Sequence, residues 1–242
     1  MIVSVILAAG QGKRMNSELP KPLCPFRGKP MICSAINAAI QLNSSKIIVV
    51  VGYKGDLVKY ALNSLYDNLV FSTQDKQLGT GHAVMSSFPE LFSDPAPDHV
   101  LIMCSDHPLI DASILEQFVA YHKRENKSAS VLTLLLDNPT GYGRIIRGRD
   151  NQFSTTVEEK DIVREEDRLI NEVSSGFIIV DATVLERVLP EIGSDNAQGE
   201  YYLPDILKLI PSDKIGLFIS PDVLPFIGVN TAEQLQELEQ KI

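Results

Sequence analysis

Residues 7–15 read Leu-Ala-Ala-Gly-Gln-Gly-Lys-Arg-Met, and Pro20-Lys21-Pro22 follow after a short gap. This stretch comes directly after residues 2–7, a nearly continuous apolar run with the length of a buried parallel strand. Gly10 and Gly12 permit backbone conformations with positive φ and a close approach to a ligand, and their N–H groups can line an anion-binding concavity. Open α/β sheets bind ligands at the carboxyl ends of their strands, which is where this loop falls. The stretch therefore predicts an α/β fold with a polyphosphate site at its first turn.

The positive charge of this loop supports the same interpretation. Lys13, Arg14 and Lys21 lie close together in a chain whose net charge is −9. The alternative is a plain tight turn with surface cations. A Walker A loop, GxxxxGK[ST], is absent, and a dinucleotide fingerprint would need a third glycine where Met15 stands. The expected ligand is therefore a polyphosphate held by neither of those two motifs.

Alternating strand and helix patterns extend the α/β prediction along the chain. Further apolar, β-branched runs lie at residues 46–51, 99–104 and 131–136. Helical patterns fall between them, at residues 30–42 with Pro30 at the first helical position, and at 56–65, 81–87 and 112–126. This order predicts βαβ units and a doubly wound, mostly parallel, Rossmann-like sheet.

After about residue 137 the pattern becomes mixed, which predicts a smaller α+β subdomain laid on the sheet. The expected elements are a strand pair at 143–147 and 152–157, a charged helix at 161–168, a strand at 177–180, a helix capped by Asp181 and running to 189, a helix at 203–210, a strand at 214–220 and a helix opened by Thr231. Residues 1–242 are expected to form a single domain, divided near 1–110, 111–228 and 229–242.

Composition limits the classes of protein to consider. The 242 residues are 44% hydrophobic and 22% charged, an ordinary globular balance. A strongly acidic chain is a poor candidate for binding nucleic acid. Cys24, Cys33 and Cys104 form no complete disulfide set or metal motif and are predicted to be reduced thiols. No apolar run approaches the roughly 20 residues that span a bilayer, so we expect a soluble, cytoplasmic protein without membrane or nucleic-acid partners.

Six ordered motifs together resemble a known family. They are residues 7–15 with Pro20-Lys21, 77–83 (QLGTGHA), 139–145 (PTGYGRI), 157–161 (VEEKD), 196–203 (NAQGEYYL) and 228–230 (GVN). They are similar to those of the sugar nucleotidyltransferases, and most similar to the uridyltransferase (pyrophosphorylase) domain of bacterial N-acetylglucosamine-1-phosphate uridyltransferases. The acetyltransferase β-helix of the full-length bifunctional enzymes has no counterpart here, since no hexapeptide repeat occurs.

The resemblance implies a reaction and a set of site residues. The reaction is a sugar 1-phosphate, expected to be N-acetylglucosamine 1-phosphate, with UTP giving UDP-sugar and pyrophosphate, and both substrates are small molecules. Arg14 and Lys21 are implied as catalytic, and Asp106 and Asn230 as ligands of Mg²⁺. The implied nucleotide contacts are Leu7, Ala8, Ala9, Gly10, Gly12, Lys13, Gln74, Gln77, Gly79, Thr80 and Asp106, and the implied sugar-side contacts are Gly141, Tyr142, Glu158, Ser174 and Asn230.

Bland interpretations remain for several of these residues. Asp106 could be a turn carboxylate, Asn230 a neighbour of a helix cap, and Gln74 and Gln77 solvated loop residues.

The chain also departs from the family pattern. Lys13 stands where Thr or Ser is usual, Cys104-Ser105 precede the metal aspartate in place of a glycine, and Ser174 replaces a sugar-contacting Asn. Alternative functions are a same-fold enzyme that uses CTP, GTP or another sugar 1-phosphate, and a non-catalytic nucleotide-sugar-binding subunit.

Overall fold

The computed structural model describes residues 1–241. The strands are β1 Ile2–Ala8, β2 Pro25–Phe26, β3 Lys29–Pro30, β4 Lys46–Val51, β5 Leu69–Thr73, β6 His99–Cys104, β7 Ala129–Leu135, β8 Arg144–Arg147, β9 Phe153–Val157, β10 Glu172–Asp181 and β11 Ile215–Ile219. The α-helices are α1 Ile32–Gln41, α2 Gly55–Asn63, α3 Thr80–Met85, α4 Phe88–Leu91, α5 Ala112–Arg124, α6 Glu165–Arg168, α7 Ala182–Val188 and α8 Ala232–Gln240.

In the described part of the chain, nine strands form one sheet with the central order β11-β7-β10-β6-β1-β4-β5. β1 pairs in parallel with β4 and β6, β4 with β5, and β7 with β11. β10 runs antiparallel between β6 and β7, and the β8–β9 pair attaches to it. The predicted doubly wound, mostly parallel sheet is confirmed, with one reversed strand inside it.

Both faces of the sheet are covered, which explains why its strands read as continuous apolar runs. In β1, Val3 and Val5 face one hydrophobic core, whereas Ile6 and Ala8 face the other. Each fully buried Val or Ile side chain contributes roughly 1.5–3 kcal/mol of transfer free energy. Two cores on one sheet fix the carboxyl ends of β1, β4, β5 and β6 at a common edge.

Three predicted helices differ from the structure. Pro30 is not at the start of a helix but pairs with Pro25 in the β2–β3 hairpin, and α1 begins at Ile32. The charged helix expected at 161–168 is a 3₁₀ turn, Glu159–Asp161, followed by the short α6. The helix expected at 203–210 is the 3₁₀ segment Leu203–Leu209, which has a proline in its first turn.

The strand expected at 177–180 is the C-terminal half of the longer β10, which lies within the sheet and not on it. β5 was not predicted. Asp181 does occupy the N-cap position of α7, but its side chain makes no capping hydrogen bond and instead contacts His99 and His122. The second half of the chain thus supplies β7, β10 and β11 to the same sheet, and the proposed division near residues 110 and 228 remains a prediction.

A small third core joins the first loop to the C-terminal helix. Its buried members are Met15, Cys24, Phe26, Met31, Val229 and Leu238. As predicted, Thr231 opens α8: it is the N-cap residue, and its side chain forms a reciprocal capping box with Gln234. The three cysteines are free. Between residues 1 and 241, no helix combines the length and apolarity needed to cross a bilayer.

Candidate active site

Two adjoining cavities open at the carboxyl edge of the sheet, one of about 490 Å³ and one of about 270 Å³. The larger is lined by ten of the predicted nucleotide contacts, namely Leu7, Ala8, Ala9, Gly10, Lys13, Gln74, Gln77, Gly79, Thr80 and Asp106. The smaller is lined by the five predicted sugar-side contacts, Gly141, Tyr142, Glu158, Ser174 and Asn230. The two share a wall that includes Asp106, so groups bound in the two cavities would meet beside this carboxylate.

Gly12, a predicted nucleotide contact, lines neither cavity. Its backbone conformation explains why a glycine stands at this position. It has φ +60°, and a Cβ on it would lie 2.5 Å from the Cβ of Lys21. Only glycine combines this left-handed conformation with so close an approach. Gly12 therefore shapes the loop and allows the Lys21 side chain to pack directly against it.

Lys21 lies at the centre of a polar cluster. Its Nζ donates to Asp106 Oδ2 at 2.5 Å and to Asn230 Oδ1 at 3.0 Å. Arg14 Nη2 donates to the same Asn230 oxygen at 3.0 Å. The structure thus brings together the two predicted catalytic cations and the two predicted metal ligands.

Hydrogen bonds from backbone N–H groups hold the segments that carry the two predicted metal ligands, Asp106 and Asn230. Val229 N donates to Asp106 O at 2.9 Å, and Asn230 N donates to Gln234 Oε1 at 2.7 Å. Burial alone would raise the pKa of Asp106, but the Lys21 ammonium and the adjacent His107 outweigh it and hold that pKa well below its usual range. Asp106 is therefore ionised at neutral pH.

Asp106 and Asn230 fit a divalent cation. Asp106 Oδ1 is buried and has only the His107 ring nitrogen nearby, at 3.0 Å, while Oδ2 and the Asn230 amide oxygen already converge on one cationic group. Carboxylate and amide oxygens are hard ligands of the kind that Mg²⁺ prefers, and Mg²⁺ typically retains several waters beside one or two such ligands.

The amide of Gln74 is oriented by its neighbours. Its Nε2 donates to Gly79 O at 3.0 Å and lies 3.0 Å from His82 Nδ1. An amide nitrogen can only donate, so His82 Nδ1 must accept this hydrogen bond. The proton of the neutral His82 ring is then on Nε2. Both amide hydrogens of Gln74 are thereby used, which leaves its carbonyl oxygen to face a ligand as an acceptor.

Glu158 lines the smaller cavity. A Cβ on Gly143 would be 2.9 Å from Glu158 Oε1, so the carboxylate packs directly on that glycine. Burial raises the pKa of Glu158 to about 7, and the carboxylates of Asp205 and Asp161 add to the effect.

Ser174 is placed by an irregularity in β10. The register of β10 against β7 shifts between Ser174 and Ile178, and Gly176 there has φ +85°. Gly176 N donates to Ser174 Oγ at 3.2 Å, and Ser174 N donates to Gly143 O at 2.9 Å. The bulge turns Ser174 toward the smaller cavity.

Two residues of the shared wall were not predicted, Cys104 and Glu200. Burial raises the pKa of the Cys104 thiol to about 12, so it is a neutral, apolar part of the wall. Glu200 belongs to the 196–203 motif, which could have indicated it. Cys104 had no signal beyond its place before Asp106.

Comparison with known proteins agrees with this geometry. The model of the MobA-like NTP transferase domain matches residues 4–168. The bifunctional protein GlmU of Oceanobacillus iheyensis is 41% identical over 239 residues, which cover 98% of this chain and 51% of that protein. GlmU of Bacillus subtilis is 37% identical over 239 residues, with 98% and 51% coverage. The chain thus spans about half the length of the curated relatives it matches.

Solved structures share the whole fold. A UDP-glucose pyrophosphorylase complexed with UDP-glucose matches with a TM-score of 0.78 at 19% identity, covering 100% of this chain and 98% of that one. A Bacillus anthracis protein assigned as a glucose-1-phosphate thymidylyltransferase, in complex with sucrose, has a TM-score of 0.77 at 20% identity, with 100% and 95% coverage. At such identities they show the fold alone. The family resemblance drawn from the motifs is confirmed, and the chain belongs to the MobA-like NTP transferase domains, a family of nucleotidyltransferases.

Proposed function

We propose that this chain transfers a uridylyl group from UTP to a sugar 1-phosphate, with N-acetylglucosamine 1-phosphate as the preferred acceptor, in a Mg²⁺-dependent reaction that releases pyrophosphate. The observation that carries the proposal is the wall shared by the two cavities, where Lys21 joins Asp106 to Asn230. The GlmU relatives support the choice of sugar.

The chemistry requires little beyond positioning and charge neutralisation. An oxygen of the sugar phosphate attacks the α-phosphorus in line, one P–O bond forms, and the bond to the β-phosphate breaks. The sugar phosphate is already ionised at pH 7, so no general base is needed. Preorganised cations lower the barrier because negative charge moves toward the leaving pyrophosphate.

Each cation of the cluster has a place in this scheme. Lys13 and Arg14 are exposed at the first loop and can hold the β- and γ-phosphates. Lys21 lies deeper, beside Asp106, and can contact the α-phosphate or the attacking phosphate. Asp106 and Asn230 would hold Mg²⁺, which supplies charge neutralisation at the phosphates when bound.

The orientation of Gln74 favours uridine over cytidine. N3 of uracil carries a hydrogen and donates, whereas N3 of cytosine accepts. Gln74 offers only an acceptor once Gly79 and His82 have taken its amide hydrogens. Where the carbonyl oxygen of Gln74 meets N3 of the base, this supports UTP over the alternative CTP. The retained cluster of Arg14, Lys21, Asp106 and Asn230 favours an enzyme over a non-catalytic subunit.

The test is a matrix of four nucleoside triphosphates against a panel of sugar 1-phosphates, read as pyrophosphate release. We expect the highest kcat/KM with UTP and N-acetylglucosamine 1-phosphate. Asp106→Asn should lower kcat by at least about 100-fold, with thermal melting to show that the variant folds. Pyrophosphate release from no pair, or an undiminished Asp106→Asn variant, would refute the proposal.

A further inference from the structure

A second cluster of ligating side chains lies at the opposite edge of the sheet. His99 Nδ1 is 3.0 Å from Asp181 Oδ1, and His122 Nε2 is 3.3 Å from the same oxygen. Among residues 1–241, this is the one group of three His, Cys, Asp or Glu side chains whose donor atoms all lie within 4.8 Å of one another. The cluster belongs to neither cavity of the candidate active site.

The two separations from Asp181 Oδ1 to the histidine nitrogens match a tetrahedral metal site as well as they match hydrogen bonds. Zn²⁺ with bonds of about 2.0–2.1 Å holds its ligand atoms roughly 3.3 Å apart. Two imidazoles and one carboxylate form a common three-ligand set for this ion and its neighbours, with water as the fourth ligand. His99 and Asp181 retain 23% and 32% side-chain exposure, which leaves a path from solvent.

Asp181 has a local alternative that it does not use. It occupies the N-cap position of α7, where an Asp side chain usually accepts from a backbone N–H. Its side chain makes no such bond and is directed at the two imidazoles. The preference for the histidines over the cap is what a ligand role requires.

The surroundings of His122 complete the pattern of a metal-bound imidazole. Its ring is buried, and Nδ1 lies 3.0 Å from Ser130 Oγ. A metal-ligating histidine characteristically donates its other N–H to an oxygen of this kind. With the proton of His122 on Nδ1, facing Ser130, its Nε2 is free to bind the ion.

We propose that His99, His122 and Asp181 bind a divalent transition-metal ion of the Zn²⁺ class, at a site separate from the Mg²⁺ ligands. The ion would tie the start of β6 to the last turn of α5 and to the junction of β10 and α7. His99 begins β6 and Asp106 lies just beyond its end, so the two sites are roughly 23 Å apart at about 3.3 Å per residue. Binding should therefore stabilise the fold without blocking the cleft.

The test is a Co²⁺ titration of the whole chain, followed by visible absorption. Excess Mg²⁺ and the Asp106→Asn background remove binding at the catalytic edge. We expect d–d bands of tetrahedral intensity without a thiolate charge-transfer band. His99→Gln and Asp181→Asn should weaken binding at least tenfold, whereas His82→Gln and Asp98→Asn, a distant histidine and a neighbouring carboxylate, should not.

Thermal melting provides a second readout that does not depend on the spectrum. At ten times its Kd, Zn²⁺ should raise the Tm of the unaltered chain by about 3–5 °C, and Mg²⁺ should not. Partly exposed His99 carries this test, because removing buried His122 could itself disturb packing. Absent tetrahedral bands, a thiolate band, or unchanged affinity in both His99→Gln and Asp181→Asn would overturn the proposal.

Discussion

At the scale of single residues, His82 decides how Gln74 meets a base. His82 Nδ1 and Gly79 O together take both amide hydrogens of Gln74. A phenylalanine at 82 keeps the ring but removes the acceptor, so the amide can turn and present a donor. We expect His82→Phe to reduce the ratio of kcat/KM for UTP over CTP by about 2- to 12-fold, the effect of one neutral hydrogen bond.

The matched control for this prediction is His99→Gln, which alters a histidine outside the cleft and should leave the ratio unchanged. An unchanged ratio in His82→Phe would mean that the orientation of Gln74 does not select the base.

Ser174 is the predicted sugar contact at which this chain departs from the family pattern, so it tests which sugar is preferred. It is 9% exposed at the wall of the smaller cavity, and its hydroxyl already accepts from Gly176 N. Replacing an amide with this hydroxyl removes one polar contact to the sugar, which is too little to abolish binding. We expect Ser174→Asn to lower the KM for N-acetylglucosamine 1-phosphate by about 2- to 12-fold.

Glucose 1-phosphate serves as the internal comparison for Ser174→Asn. If the ratio of the two kcat/KM values does not change, position 174 does not select the sugar. Specificity must then rest on Gly141, Glu158 or the 200–202 segment.

At the scale of elements, the first loop works because Lys21 passes against Gly12. Gly12→Ala would place Cβ 2.5 Å from Lys21 Cβ at φ +60°. We expect kcat/KM to fall roughly 10-fold or more, since a shift of about 1 Å in a positioning group can cost about 100-fold, and stability to fall by about 1–2 kcal/mol.

Gly28→Ala separates backbone strain from displacement of the lysine. Gly28 has φ +78° with no atom within 4 Å of the added Cβ. This variant should lose similar stability and keep its activity. Equal activity in the two variants would show that Gly12 is only a turn residue. Urea unfolding and pyrophosphate release measure the two quantities.

The sequence predicted the bounds of a strand correctly where all of the side chains that the strand buries are apolar. β4 and β6 begin and end at the predicted residues, because both faces of each are covered by apolar cores. The first part of β10 was missed because three of its four buried residues, Glu172, Ser174 and Ser175, are polar. Glu172 there is neutralised by Arg147, with contacts of 2.6 and 2.7 Å, a pairing that no local pattern shows.

At the scale of the whole molecule, the candidate site depends on contacts between distant parts of the chain. Lys21 and Asn230 are 209 positions apart and share a hydrogen bond. The sequence predicted the first loop from charge and glycine spacing, but it could link Asn230 to that loop only through family resemblance. The third core, in which Met15 and Val229 are both buried, supplies the physical connection. The roles of the individual residues in catalysis remain predictions.

The smaller cavity also makes global stability depend on pH. Burial raises the pKa of Glu158 to about 7, so the folded chain holds this proton more tightly than the unfolded chain does. The free energy of unfolding should therefore fall as pH rises from the ordinary glutamate value of about 4.3 toward 7, and then level off.

Glu158→Gln removes the ionisable group, and we expect its stability relative to the unaltered chain to be greater at pH 8 than at pH 5 by about 1–3 kcal/mol. Urea unfolding at both pH values measures this difference, and Glu116→Gln, which alters an exposed carboxylate on α5, should show none. A difference that is the same at pH 5 and pH 8 would mean that Glu158 ionises at its ordinary pH despite its burial, and that water or a cation reaches it inside the cavity.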